Sequence, residues 1–483
     1  MKYFNRYSRI AISLLAVLLI QSCDDILDKE PLSRLTDRDI GEEGLTTADQ
    51  AEAFLSGTYA DFYGEYFMLD YFVNGDAQAD NSFAGADNPA NFQIDEFRVE
   101  AVNSNVARDW RYLYSTIAKC NTVIDNVANI SDPALTDIRK NQIIGEASFI
   151  RAFMYFELVR QFGDVPLITN EITQSDFDNL DEIYLDRTPA SGIYAQIISD
   201  LETALTSVRT TAPDKGYATV GAVNTLLAKV YATLEPHDWN KVSQYCDAVI
   251  AGGYTLVPEY DQLWDNQHEN SDESIFEINA YGWDAGSGNW GASMFIGSDW
   301  KKFNTPTNDL VRAFEEEGDE IRMNASIKFE DVTGKWTDRY WAGTNFPFVN
   351  KYRDTNGTQN YIIFRLAEIL LLKAEALNEL GDAEGAAELV NQIRARVDLD
   401  PTTAATQADL RLALEKERRH ELAFEGHRWY DLKRTGRAIE VMNALKDGNG
   451  NSLGYQLSES KLLWPIPQAE RDKNTKLTQN SGY

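Results

Sequence analysis

Apolar side chains return at three- and four-residue steps through most of the chain, the period of helices that bury one face. Residues 106–127 place Trp110, Leu113, Ile117, Cys120 and Ile124 on such a stripe. Residues 142–162 repeat it with Ile143, Ala147, Ile150, Met154 and Leu158, and Gly163 ends the run. A third helix is expected over residues 193–208. Two stretches read as helix–turn–helix pairs. Residues 219–234 lead through Glu235-Pro236-His237-Asp238 into 239–251, and residues 362–380 turn at Gly381-Asp382 into 383–397. Alanines at Ala367, Ala374, Ala376, Ala386 and Ala387 let the second pair approach closely. A last strong helix is expected over residues 407–435. The pattern predicts a mainly α chain.

The second pair (RLAEILLLKAEALNELGDAEGAAELVNQIRAR) resembles a tetratricopeptide repeat. The repeats are not contiguous, so the expected architecture is a tetratricopeptide-like helix–turn–helix scaffold with long irregular insertions. The longest insertion spans about 252–361. There helical periodicity fades, glycine, asparagine and aromatic residues rise, and residues 273–280 alternate like a strand. Residues 70–83 (DYFVNGDAQADNSF) read as a second polar-aromatic loop, and residues 436–483 as mostly loop. Long loops on a rigid scaffold are where binding residues concentrate.

The N-terminus departs from the helical pattern. Lys2, Arg6 and Arg9 precede an apolar run over residues 10–20 (IAISLLAVLLI), followed by Gln21-Ser22-Cys23. A basic head, a short apolar run and a small residue before the cut predict a secretory signal over residues 1–22. The run is too short for a membrane-spanning helix, which takes about 20 apolar residues, and no later stretch reaches that length. The segment resembles the lipobox of bacterial lipoproteins, with Gln21 where a small or apolar residue is usual. Lipidation at Cys23 is expected, and several acyl chains would make the anchor effectively permanent. Asp24, Asp25 and Asp28 follow, similar to the export signal of surface lipoproteins in Bacteroidetes. The expected order is therefore signal (1–22), lipid-anchored tether (23–45) and a single helical body (46–483).

Composition narrows the function. Against 76 acids stand 45 lysines and arginines, a formal charge of -31, and removal of the basic signal makes it more negative. Such a field repels phosphate backbones, so no nucleic-acid partner is expected. Three cysteines support neither a disulfide framework nor a four-thiolate zinc site, and four histidines offer little metal chemistry. Cys120 and Cys246 are expected to be buried free thiols.

Candidate binding residues come from the insertion. Six of the ten tryptophans (Trp264, Trp283, Trp290, Trp300, Trp336 and Trp341) fall within residues 264–341, joined by Tyr281, Phe295, Tyr340, Tyr352 and Arg339. Flat rings stack on the apolar C–H face of a sugar, while amides, carboxylates and guanidinium groups bond its hydroxyls. Trp283, Trp290, Trp300, Trp336, Tyr340 and Trp341 are the expected platforms, with Arg339 beside them, and about half of the cluster is expected to fill a small second core instead. From the 70–83 loop, Tyr71, Asp80, Asn81 and Phe83 are further candidates, and Asp76, Asp80 and Asn81 also suit a cation.

Other motifs weaken on inspection. Residues 286–291 spell GxGxxG without a surrounding βαβ unit. Residues 447–451 open like a calcium loop, but Ser452 and Ser458 replace its turn glycine and final glutamate. His420-Glu421 and His427 are too far apart for HExxH, and Glu417, Arg418, Arg419, Glu421, Glu425 and Arg428 read better as an ion-pair network. No metal and no cofactor is expected. No pair among the many carboxylates stands out as glycosidase machinery.

Four stretches resemble the SusD/RagB family: residues 145–166 (GEASFIRAFMYFELVRQFGDVP), 364–381 (FRLAEILLLKAEALNELG), 417–436 (ERRHELAFEGHRWYDLKRTG) and 465–483 (PIPQAERDKNTKLTQNSGY), the last with Thr475 and Ser481 where prolines are common. The resemblance implies a non-catalytic, cell-surface, outer-membrane lipoprotein. It would bind oligosaccharide or polysaccharide, cap a SusC-type TonB-dependent outer-membrane transporter like a lid, and pass cargo to it. The matched motifs are scaffold and identify no ligand contact. Alternatives are a lipid-anchored glycoside hydrolase and a transporter lid without a sugar site, or with non-sugar cargo such as a peptide.

Overall fold

The computed structural model describes residues 44–285 and 287–483; Cys23, the expected signal and all but the last two residues of the expected tether lie outside them. The first helix, α1 (Ala48–Ala60), starts from a capping box in which Thr47 and Gln50 bond each other's backbone N–H. A π-turn at Tyr66–Asp70 runs into α2 (Tyr71–Asp76), and β1 (Ser82–Phe83) follows. Three long helices come next: α3 (Ser104–Val127), α4 (Asp137–Phe162) and α5 (Ala190–Ser207). From Gly145 to its end every residue of α4 is buried. Its charged residues therefore need partners. Arg151 forms a bidentate pair with Asp200 at 2.8 and 2.6 Å, and Arg160 pairs with Glu157.

Two helical hairpins continue the scaffold. The first is α6 (Val220–Tyr231) with α7 (Trp239–Ile250). After it the chain passes through β2 (Ser274–Ile278), β3 (Thr305–Pro306), α8 (Asn308–Glu317), α9 (Glu320–Ser326), β4 (Ile327–Glu330), β5 (Phe346–Val349) and β6 (Tyr361–Arg365). The second hairpin is α10 (Leu366–Glu379) with α11 (Ala383–Arg396), followed by α12 (Gln407–Glu421), α13 (Arg428–Arg434) and α14 (Ala438–Ala444). The described strands form three antiparallel pairs, β1–β3, β2–β6 and β4–β5. The fold is mainly α, with the expected irregular stretch between the hairpins. Cys120 and Cys246 are buried free thiols, as expected, and burial pushes both pKa values up.

Three local readings change. Residues 361–365 are a strand, not the start of the helix expected from 362: an apolar run such as YIIF suits either period, and pairing with β2 decides it. Residues 70–76 are helical and buried, not an open loop. The helix expected over 407–435 breaks at 422–427. There Phe424 and Gly426 take positive φ (65° and 78°), and their N–H groups donate to the buried Asp76 carboxylate at 3.3 and 2.7 Å. Gly75 makes this possible, because a Cβ there would lie 2.2 Å from the Gly426 carbonyl oxygen.

The expected ion-pair network is present and lies inside the molecule. Glu421 faces three guanidinium groups: Arg365 at 2.6 Å, Arg322 at 3.1 Å, and Arg396. Arg365 also bonds Glu273 at 2.9 Å and both oxygens of Glu425 at 2.7 Å. Lys351 completes the cluster on Glu425 at 2.6 Å. These residues come from β2's approach, the turn after β5, β6, α9, α11, α12 and the break after it, so the network ties the insertion to the second hairpin.

Candidate functional site

The residues expected from 70–83 do not present a surface. Tyr71 is buried, its ring 5.8 Å from Phe67 and perpendicular to Phe72. Asp80 is buried in a bidentate pair with Arg428 (2.7 and 2.8 Å) and faces Arg419 at 3.2 Å. Asn81 donates to Asp76 at 2.9 Å and accepts from Arg419 at 3.1 Å. Phe83 is buried under Tyr340, with ring centroids 3.9 Å apart. All four are corrections: Tyr71 packs against its chain neighbours Phe67 and Phe72, while Asp80, Asn81 and Phe83 are held by Arg428, Arg419 and Tyr340 from more than 200 residues away, invisible to local sequence.

Asp80 is therefore a structural anion. Burial pushes its pKa up, but Arg419 and Arg428 overcome that and hold it at about 2. A carboxyl lowered from 3.8 to about 2 stabilises the fold above pH 4 and loses that contribution as the pH falls toward 2. Asp80→Asn is expected to cost about 1.5–3 kcal/mol near neutrality, with a flatter acid limb and unchanged ligand affinity. Denaturant melts at pH 7 and pH 3 check the first two, and a binding titration checks the third; a loss of affinity without loss of stability would restore Asp80 to the site.

The tryptophans divide. Trp264 is buried between Lys351 and Tyr352. Trp336 sits edge-on to Phe346 and Phe348 in a satellite core with Val332, and Trp341 packs there while donating its indole N–H to the Pro306 carbonyl at 2.9 Å. Trp290 is half-buried against the main core. Trp300 is half-buried, flanked by Phe303 and by the Lys302 ammonium at 4.7 Å. Arg339 is exposed over the half-buried Tyr340 ring at 5.2 Å. Trp283 is different. It is 52% exposed and rests on backbone, because a Cβ on Gly357 would fall 2.7 Å from its indole Cε2 and one on Gly288 2.7 Å from Cε3.

Among the described residues the large aromatic side chains with open surface are Tyr281 (60%), Trp283 (52%) and Tyr217 (38%). Tyr281 and Trp283 share one loop. The Tyr281 N–H donates to the Ser287 carbonyl at 3.2 Å, and Asn289 ties the loop to the Gly357 and Gln359 carbonyls at 2.9 and 2.8 Å. Tyr281 and Tyr217 border a cleft of about 220 Å³, walled by Tyr59 and Tyr63 and by Asp214, Glu277 and Asn279. Tyr59 and Tyr217 meet edge-on at 5.6 Å. The Tyr63 hydroxyl donates to the Asn279 carbonyl at 2.7 Å, and the Asn279 amide donates to Asp214 at 2.7 Å. Burial, aided by Tyr281 and Asp214, pushes the Tyr63 phenol up to about 12, so it remains a neutral donor at physiological pH. Rings with phenolic, amide and carboxylate groups between them can stack on and hydrogen-bond a polyhydroxylated ligand without reacting with it.

Tyr63, Asp214, Tyr217 and Asn279 escape sequence reasoning. They sit in the short turn after α1, in the loop before α6 and just after β2, and only packing brings them together. The one local hint is Asp214-Lys215-Gly216-Tyr217, a polar turn with an aromatic between two helices. Elsewhere, Asp447 spends its carboxylate on the Asn449 and Asn451 N–H groups at 2.9 and 2.8 Å, as a turn residue does.

Comparison with known proteins identifies the family. Residues 273–483 match the family model described as "SusD family", and residues 27–232 match one described as "Starch-binding associating with outer membrane". The chain is 27% identical over its whole length to the whole of SusD-like protein P38 of Formosa agariphila. It superposes on a solved laminarin-binding SusD-like protein with a TM-score of 0.74 (26% identity, 91% of this chain and 100% of that one). Surface glycan-binding protein A of Bacteroides fluxus gives 0.75 (25% identity, 91% and 100%). The family models lie in succession along the chain, and with these relatives they meet the expectation drawn from residues 145–166, 364–381, 417–436 and 465–483: the chain belongs to the SusD/RagB family.

Proposed function

We propose that this protein is a cell-surface glycan-binding lipoprotein that grips oligosaccharides at the Tyr217–Tyr281–Trp283 surface and passes them to a SusC-type TonB-dependent transporter. The observation that carries the reading is the pairing of two open aromatic faces, Tyr217 and Tyr281, at one cleft furnished with Asp214 and Asn279, with Trp283 open on the same loop as Tyr281. Stacking supplies affinity, and the polar groups supply orientation. The names of the solved relatives, one laminarin-binding and one a surface glycan-binding protein, support the same ligand class. Trp300, Arg339 and Tyr340 keep accessible area in the same insertion and take a lesser part. Lipidated Cys23 holds the protein at the outer membrane, which agrees with the family description. Binding needs no covalent chemistry, and this reading assigns the protein no catalytic role.

Titration calorimetry with a panel of oligosaccharides, laminarin-derived chains among them, is expected to find a ligand with Kd between about 1 µM and 1 mM. No new reducing ends are expected after prolonged incubation with it. A panel without a ligand would overturn the glycan reading, and released reducing ends would turn it into a hydrolase. Isolation from native membranes is expected to bring down a β-barrel transporter, and its absence would remove the delivery step.

A further inference from the structure

The groups lining the cleft beside Tyr281 are one-sided in charge. Two carboxylates, Asp214 and Glu277, line it, and no lysine, arginine or histidine does. Two described cations stand behind its walls: Lys215, on the Glu277 side with its ammonium 4.8 Å from the centroid of the Tyr254 ring, and Arg209, 5.8 Å from the centroid of the Tyr217 ring and 3.7 Å from the buried Glu146. Asp214 is fixed by its own surroundings, accepting from the Gly216 N–H at 2.8 Å and the Asn279 amide at 2.7 Å. The opening of about 220 Å³ is smaller than the roughly 300–1,000 Å³ of pockets for drug-sized ligands. It holds one sugar ring rather than a length of chain.

We propose that this cleft receives a single uncharged sugar unit and rejects uronic-acid and sulfated units. The proposal rests on the glycan reading above and specifies its substrate class. An anionic ring seated here would bring its carboxylate or sulfate toward Asp214 in a part-buried space whose lining residues include no lysine, arginine or histidine. A neutral ring instead offers hydroxyl donors to the same carboxylate, a charge-assisted bond. The chain's formal charge of -31 adds a long-range repulsion of acidic polysaccharides that salt screens, whereas the local repulsion at Asp214 persists in salt.

The test compares neutral gluco- and manno-oligosaccharides with oligouronates and sulfated oligosaccharides of equal length on the intact lipid-free protein. Wild type, Asp214→Asn and Tyr281→Ala are titrated at about 0.15 M and about 1 M salt. A neutral oligosaccharide is expected to bind at least about tenfold more tightly than any acidic one at both salt concentrations. Asp214→Asn is expected to narrow that ratio, and Tyr281→Ala to weaken the neutral ligand. An acidic oligosaccharide that binds as tightly as the neutral ones, and loses that binding in Tyr281→Ala, overturns the charge selection and leaves the glycan site standing. Selection that Asp214→Asn leaves unchanged overturns the role of this cleft in it. Failure of both classes to bind, or binding indifferent to Tyr281→Ala, overturns the site itself and this proposal with it.

Discussion

Glu421→Ala is expected to lower the stability of the folded protein by about 3–5 kcal/mol, the usual result of removing one partner from a buried ion cluster. The carboxylate has no exposed surface and faces the guanidinium groups of Arg365, Arg322 and Arg396. Two of those already carry a buried nitrogen without a described partner, Nη2 of Arg322 and Nε of Arg396. Deletion leaves three desolvated cations around a void, and the loss measures that exposure of uncompensated charge more than the net worth of any one pair. The measurement is a denaturant midpoint at constant slope. Against it stands Glu379, whose pair with the half-exposed Arg411 at 2.6 Å is worth under about 1 kcal/mol. Equal effects for the two positions would show that the buried network does not hold the insertion to the second hairpin.

The same residue predicts a pH dependence. Burial pushes the Glu421 carboxyl up, and Arg396, Arg365 and Arg322 outweigh it, holding it well below the ordinary 4.5. A depressed carboxyl contributes its full stability above pH 4.5 and loses it as the pH falls toward the folded-state value, so the wild type weakens in acid. His420 adds to this, since burial lowers it from 6.5 to about 4 and the unfolded chain takes up its proton first. In Glu421→Ala the acid limb is expected to be shallower, because one of the groups that must protonate is gone.

The second large effect concerns binding. The Tyr281→Ala, Trp283→Ala double variant is expected to lose at least about 2 kcal/mol of glycan affinity, more than 25-fold on the Kd scale, as for anchor residues at the centre of an interface. Each ring has an open face, and Trp283 is braced from beneath by Gly288 and Gly357, so little rearrangement accompanies stacking. Stability is expected to stay within about 0.5 kcal/mol of wild type, since side chains with this much exposed area contribute little to the core. Retained affinity in the double variant would move the site elsewhere in the insertion, with Trp300, Arg339 and Tyr340 the next to test.

The contrast between the two aromatic stretches explains where sequence reading succeeds. The helices expected over 106–127, 142–162 and 193–208 are visible because a stripe repeating every three to four residues is a local property, and Gly163 marks one end; the structure starts the second five residues earlier, at a Thr136 cap. The break at 422–427 is not visible, since it exists to meet Asp76 and Gly75 almost 350 residues earlier. The same distance hides Asp80 and Asn81 beneath Arg428 and Arg419. Trp283 and Trp336 look alike in composition and neighbours, yet one lies open on glycine backbone and the other edge-on to Phe346.

By itself the sequence determined the helical scaffold, its hairpins, the acidic charge, the aromatic richness of residues 252–361 and the family, because periodicity, counts and short motifs need no knowledge of distant contacts. Tertiary structure alone decided which rings face outward and which polar groups remain free to meet a ligand. A side chain's exposure is set by what packs against it, and at this site those neighbours come from α1, the loop before α6 and the chain after β2.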